Sequence, residues 1–207
     1  GADVNAKNTA GVTPLHNAAA WNTKEGIEIL VRVGADVNVK DNDGYTPLHT
    51  AATFNSHPEV IRTLVELGAD INARTEQGIV PLHMAASRNT HADIILALIE
   101  SGSDVNVRDA RGFTPLHHAV SLDNTPEIVR TLVNAGGDVN ARNQDGITPL
   151  HTAADNNKNP EIIMVLLELG ADPKARERQG KTPWDYIQNN DALKNTDAYW
   201  TLNDMRF

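Results

Sequence analysis

The sequence predicts an all-α repeat solenoid, built of helix–turn–helix units that stack side by side and are joined by β-hairpin-like loops. Three observations carry that prediction. The tetrapeptide Thr-Pro-Leu-His begins at Thr13, Thr46, Thr114 and Thr148, with variants at Val80 and Thr182, so successive copies start 33, 34, 34, 34 and 34 residues apart. A second marker, Gly-Ala-Asp-Val-Asn and its variants, keeps step with the first, beginning at Gly1, Gly34, Gly68, Gly102, Gly136 and Gly170. The apolar residues between the markers recur at helical spacing. A fixed period of this length marks an array whose units bury their apolar faces against one another.

The elements of one unit follow in order. Thr46 is a good N-cap and Pro47 occupies the first helical position, where its missing N–H costs nothing. The first helix then places Leu48, Ala51 and Ala52 on one face, a triple that recurs as Leu15, Ala18, Ala19, as Leu82, Ala85, Ala86 and as Leu150, Ala153, Ala154. It is expected to stop at Asn22, Asn55, Asn89, Asp123 and Asn157, residue types that tolerate the left-handed conformation. Pro58, Pro126 and Pro160 mark the first turn of the second helix. An acid sits there in all five repeats (Glu25, Glu59, Asp93, Glu127, Glu161), which suits the positive end of the helix dipole. Val60, Ile61, Leu64 and Val65 form its apolar stripe, and Gly68 and its counterparts end it in a left-handed cap. A polar loop with a glycine near its tip leads to the next Thr-Pro. Alanines on the first helix and larger aliphatics on the second imply a stack that curves with the first helices on the concave side.

These residues resemble the ankyrin repeat, whose pattern is Gly-x-Thr-Pro-Leu-His-x-Ala-Ala, a Glu-led second helix and Gly-Ala-Asp-Val-Asn. The resemblance runs from residue 1 to about 190. It gives one domain over 1–207: the end of a truncated repeat at 1–12, repeats at 13–45, 46–79, 80–113, 114–147 and 148–181, and a capping repeat with tail at 182–207. Repeats two to five carry one extra residue between the helices, Val80 loses the Thr cap, and Gly26 stands where other repeats have Val or Ile. In the sixth copy Trp184-Asp185 replaces Leu-His and Pro173-Lys174 replaces Val-Asn, as suits a terminal unit facing water. Beyond it, Asn195-Thr196-Asp197 is expected to cap a final helix whose Tyr199, Trp200, Leu202 and Met205 cover the open end of the core. The first complete repeat, preceded by a repeat end alone, is expected to fray most.

Composition restricts the function. The chain carries a net charge of -9, which repels phosphate backbones and makes nucleic acid a poor partner. It has no cysteine, and its longest apolar run, about Ile94 to Ile99, is far below the roughly 18 residues of a membrane span. A monomer with no membrane association, no metal and no cofactor is expected. His16, His49, His83, His117 and His151 belong to the repeat signature. Packed helices lie roughly 8–10 Å apart, so these histidines do not converge on one ion and are expected to tie each turn to a neighbouring backbone. Lys7, Lys40, Arg74, Arg108, Arg142 and Arg176 form a column in register, read as pairing between adjacent hairpins rather than as a polyanion site. No nucleophile–base set, phosphate loop or calcium loop is present in the sequence, so no catalysis is expected.

The resemblance implies recognition of a protein or peptide through the concave helix face and the hairpin tips. On the helical wheel Asn17, Ala20 and Trp21 point away from the core, with Phe54, Met84, Arg88, His118 and Leu122 among their counterparts. The residue after the tip glycine is apolar at Val12, Tyr45, Ile79, Phe113 and Ile147. Trp21, Tyr45, Phe54, Ile79, Arg88, Phe113 and Leu122 are therefore the expected partner-binding residues, with packing between hairpins as the alternative reading of the tip positions. The alternative function is a regulatory or targeting segment of a larger enzyme. The resemblance also implies Asn38, Asn72, Asn106 and Asn140 as targets of an asparaginyl hydroxylase, each eight residues after a leucine, with a purely structural role as the alternative.

Overall fold

The Thr-Pro markers start helices where the pattern placed them. In the computed structural model, which describes residues 3–21, 23–122 and 125–206, the first helices of the units are α1 (Pro14–Trp21), α3 (Pro47–Phe54), α5 (Pro81–Arg88), α7 (Pro115–Val120), α9 (Pro149–Asn156) and α11 (Pro183–Ile187). The second helices are α2 (Lys24–Arg32), α4 (Pro58–Glu66), α6 (Ala92–Glu100), α8 (Pro126–Asn134) and α10 (Pro160–Glu168), followed by α12 (Asp197–Met205). No strand occurs among the described residues, and the connecting loops close with pairs of backbone bonds such as Asp41 N–H to the Tyr45 carbonyl at 2.9 Å and Gly44 N–H to the Asp41 carbonyl at 3.2 Å. None of these helices is long and apolar enough to cross a membrane.

The chain divides into two compact units, Gly1–Asp104 and Val105–Phe207. In the first, α1, α3 and α5 pack in one layer and α2, α4 and α6 in a second. Ala18, Ala19, Ala51, Ala52, Ala85 and Ala86 are buried on the first helices, while Val60, Ile61, Leu64, Ile94, Ile95 and Leu98 are fully buried on the second. Each such aliphatic contributes about 1.5–3 kcal/mol by leaving water. The second unit repeats the plan with α7, α9 and α11 against α8, α10 and α12.

The glycine caps follow the expectation. Gly68 has φ +97, and a Cβ there would meet nothing within 4 Å, so conformation and not space demands the glycine. The Ala69 N–H reaches back to the Leu64 carbonyl and that of Gly68 to Val65 at 2.9 Å, which satisfies the last carbonyls of α4. Gly11 is glycine for a second reason, since a Cβ would lie 2.8 Å from the Asn42 backbone nitrogen of the next loop.

The asparagines that end the first helices do so by a different device from the one expected. Asn55, Asn89 and Asn157 are extended, with φ between -78 and -87, not left-handed. Their role is to bond across repeats. The Asn55 side chain donates to the Ala19 carbonyl at 2.9 Å, and Asn157 donates to the carbonyls of Val120 and Leu122 at 3.0 and 2.7 Å. Each Oδ1 accepts the N–H two residues on, at His57, His91 and Asn159. Asn190 continues the series toward Ala154 and Asn157. The left-handed expectation failed because backbone tolerance and side-chain amide chemistry favour the same residue type. The expected stops at Asn22 and Asp123, and Gly1, lie outside the described residues.

The tail covers the core with part of the set expected. Thr196 caps α12 by accepting the Tyr199 N–H, and Ala198 and Leu202 are buried one turn apart. Tyr199 packs edge-on against Trp184 at 4.8 Å. Trp200 is exposed because it lies on the opposite side of the helix from Ala198 and Leu202, and Met205 is exposed at the last position of α12.

Candidate functional site

The signature histidines are consumed by the architecture. Nδ1 of His49 accepts the Thr46 N–H at 3.2 Å, and its Nε2 lies 3.1 Å from the Ile79 carbonyl. A carbonyl only accepts, so Nε2 carries the proton and the ring is neutral. His16, His117 and His151 make the same bridge to Tyr45, Ile147 and Lys181. Burial pushes His49 and His117 down to about 4, although the carbonyl each ring faces favours the charged form. Val80, which has no hydroxyl, still has its N–H capped by His83 Nδ1 at 3.2 Å.

The basic column is likewise engaged along the loops. Lys7 donates to the Lys40 carbonyl and Lys40 to that of Arg74, each at 2.9 Å. Arg108 donates to the carbonyls of Gly112 and Arg142, Arg142 to that of Arg176, and Arg176 to that of Gly180. The Asp-Val-Asn asparagines also join neighbouring loops. Asn38 donates to the Gly68 carbonyl at 2.9 Å and accepts the Asp70 N–H at 2.8 Å, and Asn106 and Asn140 repeat the pair two and three repeats on.

What the architecture leaves over is the outward side of the first helices. In the first unit Trp21 is 75% exposed and Phe54 is 54% exposed, and the two rings stack at 5.7 Å with an interplanar angle of 27°. They line a groove of about 390 Å³ that also takes in Tyr45, Met84 and Arg88. Four of the seven expected residues, Trp21, Tyr45, Phe54 and Arg88, are thus brought together. Arg88 is exposed and makes no hydrogen bond or ion pair among the described residues.

The second unit has its own groove of about 560 Å³, in which Phe113 and Leu122 meet Ile147, Tyr186 and Arg111. The Arg111 guanidinium lies 4.9 Å over the Phe113 ring. His118 enters this groove and bonds Asp109 at 3.1 Å. Burial of the Asp109 carboxyl works to raise its pKa. The bond from His118 and the N–H groups of Phe113 and Arg111 outweigh that and hold it at about 2. Ile79 is half-buried and lines neither groove.

Two expectations about exposure are corrected. The tip residues Tyr45, Ile79 and Phe113 are half-buried, with Tyr45 edge-on to His49 at 5.5 Å and Phe113 edge-on to His117 at 5.3 Å, so they also pack the loops. Ala20, placed outward by the wheel, is buried, as is its counterpart Thr53. The first helices are flanked by neighbours, which widens the buried arc beyond the Leu-Ala-Ala face. Arg111 was missed as a member of a site, and His118, which the wheel placed outward, was not among the expected partner-binding residues. The adjacent His117-His118 pair signalled a second histidine, but its bond to Asp109 depends on loop geometry.

A family model described as Ankyrin repeats (3 copies) matches residues 1–75 and 77–187. No curated protein matches the chain.

Proposed function

The chain belongs to the ankyrin-repeat family, whose repeats are generally protein–protein interaction modules, and we propose that it is a non-catalytic module that holds a protein or peptide on the outward side of its first helices. The observation that carries this reading is the exposed Trp21–Phe54 stack. A folded chain gains nothing by keeping two large rings in water, and large aromatics in such patches act as binding hot spots worth roughly 2 kcal/mol or more. Arg88 at the same groove adds a donor set for a polar or acidic group of the partner. Phe113 and Leu122 give the second unit a contact surface of its own, and Tyr45 and Ile79 support the loops beside the first.

The test is alanine substitution at Trp21, Phe54, Arg88 and Leu122. Each variant is measured for melting temperature and for affinity toward the partner recovered from a native lysate. The expected result is an affinity loss of about tenfold or more at Trp21 and Phe54 with stability nearly unchanged. Unchanged affinity with a large fall in melting temperature would make the stack a packing element.

A further inference from the structure

The groove of the first unit changes chemistry from one repeat to the next. Trp21, Phe54 and Arg88 are the last residues of α1, α3 and α5, so they occupy one register position in three successive first helices. The first two are large rings stacked on each other at 5.7 Å, and the third is a cation. Met84 stands four residues before Arg88, on the same face of α5. That position is polar in the other complete repeats, at Asn17, Thr50, His118 and Thr152, so the thioether is peculiar to this groove.

Arg88 is the one lysine or arginine that lines the groove. It is exposed and makes no hydrogen bond, ion pair or ring contact among the described residues. Arg111, by contrast, spends its guanidinium over the Phe113 ring at 4.9 Å. The carboxylate of the groove is Asp41, whose Oδ1 accepts the Asp43 and Tyr45 N–H groups at 3.0 and 2.9 Å. Asp41 precedes α3 and Arg88 ends α5, so the two charges stand toward opposite ends of first helices that are about 12 Å long. That separation exceeds the screening length of roughly 8 Å at physiological salt, so Asp41 does not neutralise Arg88.

We infer that this groove takes an extended segment of a partner protein in which a large apolar side chain and a carboxylate are about three residues apart. The inference rests on the reading of the groove as a docking surface and adds the chemistry of what docks there. The apolar side chain lies on Phe54 and Met84, and the carboxylate takes the paired N–H groups of the Arg88 guanidinium. The scaffold sets the spacing. Helices α3 and α5 are packed neighbours, and packed helices lie roughly 8–10 Å apart. An extended chain advances about 3.3–3.6 Å per residue, so one helix spacing spans about three residues. A segment with a basic residue at that point meets Arg88 as a like charge and is rejected.

The test follows the Met84 methyl resonance by NMR on the full chain, in roughly 0.1 M salt. The probes are short blocked glycine–serine peptides. They carry leucine alone, glutamate alone, leucine and glutamate three residues apart in either order, or leucine and lysine three apart in either order. Saturable shifts are expected at about millimolar affinity. The better leucine–glutamate peptide should bind about fivefold more tightly than the leucine and leucine–lysine peptides. Arg88→Gln is expected to remove that preference, Arg88→Glu to turn it toward lysine, and Phe54→Ala to weaken every leucine peptide. Equal binding of all leucine peptides, or a preference that survives Arg88→Gln, overturns the inference and leaves the groove an apolar docking surface. If glutamate alone binds as tightly as the leucine–glutamate peptide and Phe54→Ala changes nothing, the docking role of the aromatic stack falls too. No saturable shift with any peptide overturns the inference, and the Trp21 and Phe54 variants measured against the native partner then decide the docking surface separately.

Discussion

The Asn89 side chain donates to the Asn55 carbonyl at 2.8 Å and to the Ala52 carbonyl at 3.0 Å, so one asparagine ties off the end of the preceding repeat's first helix. Its Oδ1 accepts the His91 N–H at 2.9 Å. The amide is 3% exposed, which leaves water little access to these groups. Asn89→Ala is expected to cost about 2–4 kcal/mol, because three bonds go and buried carbonyls lose their donor. Asn89→Asp is expected to fare no better, since a carboxylate cannot donate to a carbonyl. Urea unfolding of the two variants checks both.

The neutral histidines set an acid limit. His49 and His117 are held at about 4 by burial, below the ordinary 6.5. The unfolded chain therefore takes up these protons first, and stability present above pH 6.5 is lost as pH falls through about 4. The loss is on the order of 3 kcal/mol per histidine over that window. The urea midpoint is expected to fall between pH 7 and pH 5, above the range where Asp109, held at about 2, protonates. His49→Gln and His117→Gln should each flatten that part of the profile.

Ser103 stands where the other Gly-Ala-Asp markers have Ala35, Ala69 and Ala171. Its hydroxyl is buried and has no hydrogen-bond partner among the described residues. Ser103→Ala is expected to stabilise the chain by about 1 kcal/mol by removing an unmatched polar atom. Thermal unfolding at neutral pH reads the shift directly.

The two aromatic neighbours of the first groove should separate in stability. Tyr45 is half-buried against His49, and Trp21 is mostly in water. Tyr45→Ala is expected to cost 1 kcal/mol or more, and Trp21→Ala no more than about 0.5 kcal/mol. Equal losses in chemical denaturation would show that the Trp21–Phe54 stack supports the fold.

Local opening should begin in α2. It buries Ile27 alone, whereas α4 buries Val60, Ile61, Thr63 and Leu64. Gly26 takes the place of Val60, and Ile29 is exposed where its counterparts Thr63 and Ala97 are buried. Amides of α2 are expected to exchange fastest among the second helices of the first unit. Protection of α2 equal to that of α4 would contradict this.

The sequence by itself determined the repeat length, the helix starts at each Thr-Pro, the glycine caps, the Leu-Ala-Ala faces and the histidine ties to a neighbouring backbone. All of these are local rules repeated in step, so each copy reinforces the reading of the others. It also determined that Trp21 and Phe54 have no place in the core. Only the tertiary structure decided what depends on a neighbouring repeat. Asn55 and Asn89 became cross-repeat donors rather than left-handed stops, because the carbonyls they satisfy lie 34 to 37 residues away in sequence. Ala20 and Thr53 were buried by flanking helices that no single-helix wheel contains. Tyr45 and Phe113 were half-covered because their rings pack on histidines fixed by the next loop. Trp184 and Tyr199 met edge-on because α12 folds back onto α10 and α11, a contact between segments that carry no shared periodicity.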